Sequence, residues 1–294
     1  MPAVEPGRCG EHWDDCPRLA AGDRFDFACA GCGDCCRQRR DLVLSGYDLY
    51  RIARRLSLPP RIVAAAFCKS YLAPESCLPA LRLTPDPKTG NCRFFEGSAC
   101  TIHAARPLAC ALYPLGQSID TVTAQTEYYV QTPLCGARAG EVRTLQDYLQ
   151  DSAVLDRAGV DARWAIVCTQ LSHRLQAAGG TDNPRFSAAV RRMERALYYD
   201  YELGDDFYPQ FCQNIEILMP LLDRMLEKRP LTVHLRAAYM RPLQRNNKSA
   251  VTFSNSHSAF PILLCRGRTC AARSLKITAH LRESRGPGMP GPYV

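Results

Sequence analysis

The stretch Cys29-Ala-Gly-Cys32-Gly-Asp-Cys35-Cys36 puts four cysteines into eight residues. Cys29 and Cys32, and again Cys32 and Cys35, are separated by two residues. A turn of that length can bring two sulfurs onto one metal ion. Gly31 and Gly33 supply the backbone freedom that such a turn needs. Thiolates are soft ligands that suit zinc and iron–sulfur chemistry. Free thiols do not need this spacing. A thioredoxin-like dithiol at Cys29 and Cys32 would need a βαβ pattern around it, which the sequence lacks. The stretch therefore reads as the start of a fold organised by metal.

The adjacent pair Cys35-Cys36 adds to this. In extended backbone, neighbouring side chains point to opposite sides. On that basis the two sulfurs serve different metal ions, or different atoms of one cluster, and the ligand set exceeds four. Further candidates follow in the run Cys92-Arg-Phe-Phe-Glu-Gly-Ser-Ala-Cys100-Thr-Ile-His-Ala-Ala-Arg-Pro-Leu-Ala-Cys110, and Cys135 closes the segment. The candidate ligands are Cys29, Cys32, Cys35, Cys36, Cys92, Cys100, Cys110 and Cys135. Eight thiolates could hold two tetrahedral zinc ions, or one or two iron–sulfur clusters. A simple ferredoxin fits poorly, because its fourth cysteine falls four residues after the third, and here Cys36 follows Cys35 directly.

Phe27-x-Cys29-x-x-Cys32-x-x-Cys35-Cys36, then Cys92-x-Phe94, Cys100-x-Ile102, Arg106-Pro107-x-x-Cys110 and Tyr113-Pro114, together resemble the YkgJ-type cysteine-cluster family (CxxCxxCC) over roughly residues 25–136. The segment Val43 to Leu58 is similar to the family too. The resemblance implies chelation of zinc or iron through eight cysteines. The sequence departs from the family at His103, where Tyr is usual, and at Ala111, where Arg is frequent. A related cysteine arrangement occurs in flagellin lysine-N-methylases. The alternative that this implies is an iron- or iron–sulfur-dependent enzyme modifying a protein or small molecule.

Sixteen cysteines occur in 294 residues, ten of them between Cys29 and Cys135. The first residues carry no basic start followed by an apolar run, so no secretory signal is expected. No apolar stretch is long enough to span a bilayer, the best being Ala259 to Cys265. A cytoplasmic location is expected, with no membrane partner. Thiols are kept reduced there, which favours metal over disulfides. The net charge is +8, but residues 246–294 hold seven Lys or Arg against one acid, Glu283, and so carry six of the eight charges. No nucleic-acid motif and no basic stripe with interleaved aromatics appears, so nucleic acid is not an expected partner.

The expected class is α+β: a small cysteine-rich, metal-organised domain, then an α-helical region, then a disordered basic tail. The expected divisions are a polar extension over 1–24, the cysteine-cluster domain over 25–136, helices over 137–245 and the tail over 246–294. Ser45 before Gly46-Tyr47-Asp48 resembles a capping box, and Leu49, Ile52, Ala53 and Leu56 continue at helical spacing. Pro59-Pro60 ends that helix, and Ile62 to Leu72 reads as another. Ile119 to Val130 reads as a strand pair. Leu145 to Leu155, Trp164 to Leu175, Phe186 to Tyr201 and Phe211 to Met225 each carry an amphipathic helical pattern.

Cys68 and Cys77 lie outside the family pattern; Cys68, Cys168 and Cys212 read as small core residues, and Cys9, Cys16, Cys265 and Cys270 fall in segments expected to be loose. His103 reads as a neighbour of the site more than a ligand, and Arg106 as an offset to thiolate charge. No nucleophile elbow, P-loop, dinucleotide fingerprint or H-E-x-x-H occurs, so no catalytic residue is assigned. The leading reading is an accessory or structural metal-binding protein whose helical region meets a protein partner.

Overall fold

The computed structural model describes residues 16–25, 27, 32–37, 42–131 and 142–227. Cys9, Cys29, Cys135, Cys265, Cys270 and the whole of 246–294 lie outside the described residues, as does the end of the helical region after 227.

Residues 16–25 form two short strands, β1 (Arg18–Leu19) and β2 (Arg24–Phe25). The strand β3 (Val43–Leu44) leads into α1 (Gly46–Leu56). Ser45 caps α1 by accepting the N–H of Asp48, and the Asp48 carboxylate accepts the N–H of Ser45 in return. Leu49, Ile52 and Ala53 turn inward. The helix stops at Ser57, whose φ is 54°. Pro60 opens α2 (Pro60–Phe67), where a missing N–H costs nothing.

The helix expected to reach Leu72 ends at Phe67, and Cys68–Leu72 is a strand, β4. It pairs with β5 (Pro79–Leu83) from Cys68 opposite Leu83 to Leu72 opposite Pro79, while β3 flanks β5 on its other side. A partner strand close at hand overrides a weak local preference. The hairpin of β6 (Phe95–Glu96) and β7 (Ala99–Cys100) follows, then the five-residue helix α3 (Leu108–Leu112). The expected strand pair is present as β8 (Leu115–Ile119) and β9 (Thr126–Val130).

β1 joins the outer side of β9, and β2 pairs with β10 (Arg143–Thr144). The stretch from Cys16 onward is thus built into the sheets and does not hang free as an extension, because its backbone groups find partners there. Cys16 is buried and disulfide-bonded, so its loose reading gives way. The helices α4 (Leu145–Asp151), α5 (Ala158–Ala177), α6 (Phe186–Glu194) and α7 (Phe207–Leu226) complete the described chain. The expected run 186–201 breaks into α6 and a π turn over Arg195–Tyr199.

One hydrophobic core gathers Leu49, Ile52, Leu81, Phe94 and Ile102 together with Trp164, Leu171, Met193, Leu197, Phe211 and Leu218. Residues on both sides of position 137 therefore share it. A second cluster holds Phe27, Leu112, Tyr113, Leu115, Leu145 and Leu149. α3 lies between the two, giving Ala109 to the first and Leu108, Ala111 and Leu112 to the second. Gly46 lets α1 approach α5 and the π turn: a Cβ there would run into the Leu197 carbonyl and the Trp164 ring.

The core also contains charges. Arg157, with a side chain 2% exposed, chelates Asp161 through Nε at 2.7 Å and Nη2 at 2.9 Å. Its Nη1 lies 2.8 Å from Asp48 Oδ1, an ion pair without hydrogen-bond alignment. Burial pushes the Asp161 carboxyl up, against the opposing pull of Arg157. Burial works to lower Arg157, and Asp48 and Asp161 more than restore it, so the guanidinium stays charged.

Candidate metal site

The site begins at the turn after Cys32. Gly33 has φ 76°, a region that favours glycine, and a Cβ there would collide with the Phe95 ring. The chain then makes a 3₁₀ turn over Asp34–Cys36. Arg37 secures it by donating to the Cys32 carbonyl and the Asp34 carboxylate, with its guanidinium over Phe95.

The turn decides the geometry of the vicinal pair. Cys35 and Cys36 do not diverge as they would in a strand: their Sγ atoms stand 4.0 Å apart. Two thiolates bonded at about 2.3 Å to one tetrahedral ion lie about 3.8 Å apart. Cys35 and Cys36 are therefore spaced so that both could meet one ion, as well as different ions or different atoms of one cluster, the expectation from extended backbone.

The other cysteines are brought in by backbone bonds. The Cys92 N–H donates to the Cys36 carbonyl at 2.8 Å, and Cys92 bridges to Pro85 across the turn held by the Asp86 carboxylate. Phe95 then donates to the Cys92 carbonyl and stands opposite Cys100 in the β6–β7 hairpin. Cys110 is carried by α3, whose first N–H, on Leu108, donates to Asp48 Oδ1 at 3.0 Å.

These elements enclose a cavity of about 230 Å³, lined by Cys35, Cys36, Cys92, Cys100 and Cys110. Its other walls are Leu42, Leu83, Phe94 and Ile102, with His103 and Arg106 also on the lining. Five of the eight candidate ligands thus share one cavity. Cys32 is exposed and does not line it, while Cys29 and Cys135 lie outside the described residues. Cys68 and Cys168 pack against the core, as expected, and so does Cys77. Burial pushes the thiols of Cys68 and Cys168 to about 12.

Two thiols at the cavity, Cys36 and Cys100, resist ionisation in the absence of positive charge. Cys36 is pushed well up, first by its hydrogen bond with Cys35, then by burial and by the neighbouring Cys35, Cys110 and Cys92. Burial raises Cys100 against a hydrogen bond from the Ile102 N–H. Burial and the nearby Arg106 both lower His103. Arg106 Nη1 is 2.8 Å from His103 Nε2. A guanidinium only donates, so Nε2 accepts and the neutral ring carries its proton on Nδ1.

Among the described residues, no three His, Cys, Asp or Glu side chains already stand as a shell for an ion. The donor type nevertheless fits zinc or iron: thiols with no carboxylate among the lining residues. Cys35 and Cys36 are spaced for a shared ion, and Cys92, Cys100 and Cys110 face the same space.

Sequence reasoning missed Phe95, Arg37 and the Asp48–Arg157–Asp161 group. Asp48 was visible as a capping residue, but nothing local marks its contact with Arg157. No helix among the described residues is long and apolar enough to cross a membrane. No curated protein and no solved structure matches the chain. Residues 28–136 match the family model described as "CxxCxxCC: Putative zinc- or iron-chelating domain", the family that the order of these cysteines resembles.

Proposed function

We propose that the chain binds zinc or iron in this cavity through Cys35, Cys36, Cys92, Cys100 and Cys110, the ligand set expected from the sequence also including Cys29, Cys32 and Cys135. The observation that carries the reading is the convergence of five thiols, from four separate stretches of chain, on one cavity. Thiolates that converge in this way are the ligands that zinc and iron–sulfur sites use. A bound cation would supply the positive charge that lets Cys36 and Cys100 ionise, and Arg106 would offset part of the remaining negative charge. An iron–sulfur cluster is the polynuclear form of the same reading. The first role proposed for the metal is structural or accessory.

A second reading, an iron-dependent enzyme, is favoured by one feature: apolar side chains and Arg106 line the cavity besides the thiols. A site built only to stabilise the fold would be closed.

Anaerobic purification without chelator, followed by elemental analysis and an optical spectrum, tests the proposal. Stoichiometric zinc, or iron with sulfide-to-iron absorption, is expected. Finding only traces of both would overturn it.

A further inference from the structure

We infer that the cavity also takes a small organic carboxylate beside the metal, its head on Arg106 and its tail along the apolar wall. This rests on the metal reading above. The first support is the shape of the lining. The sulfurs account for one part of the lining, and the edges of the core residues Leu42, Leu83, Phe94 and Ile102 make another part apolar. A metal ion has no use for that part, whereas a hydrocarbon tail does.

The second support is Arg106. It is half-buried and lines the cavity, and its hydrogen bond is to His103. Arg157, Arg174 and Arg195 each hold a carboxylate. Arg106 has no acidic partner among the described residues. A guanidinium offers five N–H donors in a planar fork that matches a carboxylate, and the His103 contact occupies Nη1 alone. That contact also fixes the fork's orientation, which makes His103 a positioning residue for Arg106. A counter-charge for thiolates would need neither the fork nor the apolar wall.

The full-length protein loaded with cobalt(II) gives the test, since thiolate-to-cobalt absorption reports the metal separately from the carboxylate. Acetate, butyrate and hexanoate are titrated at constant ionic strength, with binding followed by calorimetry and by the cobalt spectrum. Saturable binding is expected, tightening roughly fourfold per added methylene while the tail lies on the wall. R106Q should abolish it, and R106K, which keeps the charge beside the thiolates, should keep the cobalt band. R106K, which lacks the fork, should weaken carboxylate binding about tenfold. A normal cobalt band with no saturable response to any of the three acids would overturn the inference and leave the metal reading standing. Equal binding in wild type and R106K would also overturn it. Absence of the cobalt–thiolate band from the wild type would overturn the metal reading, and this inference with it.

Discussion

Asp48 Oδ1 accepts the backbone N–H of Leu108 at 3.0 Å, and so ties the first turn of α1 to the helix that carries Cys110. The same oxygen pairs with Arg157, which holds Asp161 near the start of α5. One buried group therefore joins three helices, one of them at the candidate site.

This relationship predicts an order of effects. Arg157→Met leaves two buried carboxylates without their cation, and should cost about 3–5 kcal/mol. Asp48→Asn leaves Arg157 paired with Asp161 and should cost less, while still lowering metal content by loosening α3. Urea unfolding and elemental analysis of both variants check this. An Arg157→Met protein as stable as wild type would show that the ion pairs contribute nothing.

The 4.0 Å separation of the Cys35 and Cys36 sulfurs predicts that Cys35→Ser and Cys36→Ser lose the same metal ion. Each should fall by the same stoichiometric step, and the double variant should fall no further. Cys212→Ser and Cys168→Ser should retain full metal. Additive losses from Cys35→Ser and Cys36→Ser would return the pair to separate ions.

Metal affinity should fall as pH falls. The thiols of Cys36 and Cys100 are raised in the metal-free fold, so near neutrality both carry protons that the metal must displace. Apparent affinity then drops about tenfold per pH unit for each proton released. Chelator competition between pH 6 and 8, with proton release measured alongside, should reveal this slope. A flat profile would mean that other groups bind the metal.

Gly33→Ala should damage the site more than the fold. The positive φ and the Phe95 ring both oppose a Cβ, and strain of this kind costs roughly 1–3 kcal/mol. The cost falls on the turn that aligns Cys35 and Cys36. Metal content should drop by at least half, with the far-ultraviolet circular dichroism almost unchanged. A collapse of helix signal would show that the turn supports the whole core.

Removing metal should leave most of the helix content in place. The core that holds α1, α5, α6 and α7 is apolar, and each buried large side chain stabilises it by roughly 1.5–3 kcal/mol. Because residues from both sides of position 137 share this core, thermal unfolding of the described fold should be a single transition by near- and far-ultraviolet probes alike. Two separated transitions would indicate independent units.

Much of the local structure was legible in the chain. Ser45 and Asp48 announce their capping box within four residues, and the spacing of Leu49, Ile52 and Ala53 marks a buried helical face. These features rest on contacts between near neighbours, so sequence spacing alone specifies them. The extended Cys68–Leu72 was misread for the opposite reason. Its partner, Pro79–Leu83, lies beyond a turn, and its own residues favour neither state strongly.

By itself, the sequence pointed to a cysteine set suited to a soft metal, because C-x-x-C spacing is the one that zinc sites use repeatedly. It also determined the helical character of the second half, through amphipathic periodicity. Only the tertiary structure decided that Cys35 and Cys36 face the same space, because that depends on a 3₁₀ turn held by Arg37 and cleared by Phe95 against Gly33. Only the tertiary structure placed Cys92, Cys100 and Cys110 around them and set Arg106, without an acidic partner among the described residues, on the same lining. Those relations come from pairings between distant segments, whose cost and reward are settled by packing and not by local preference.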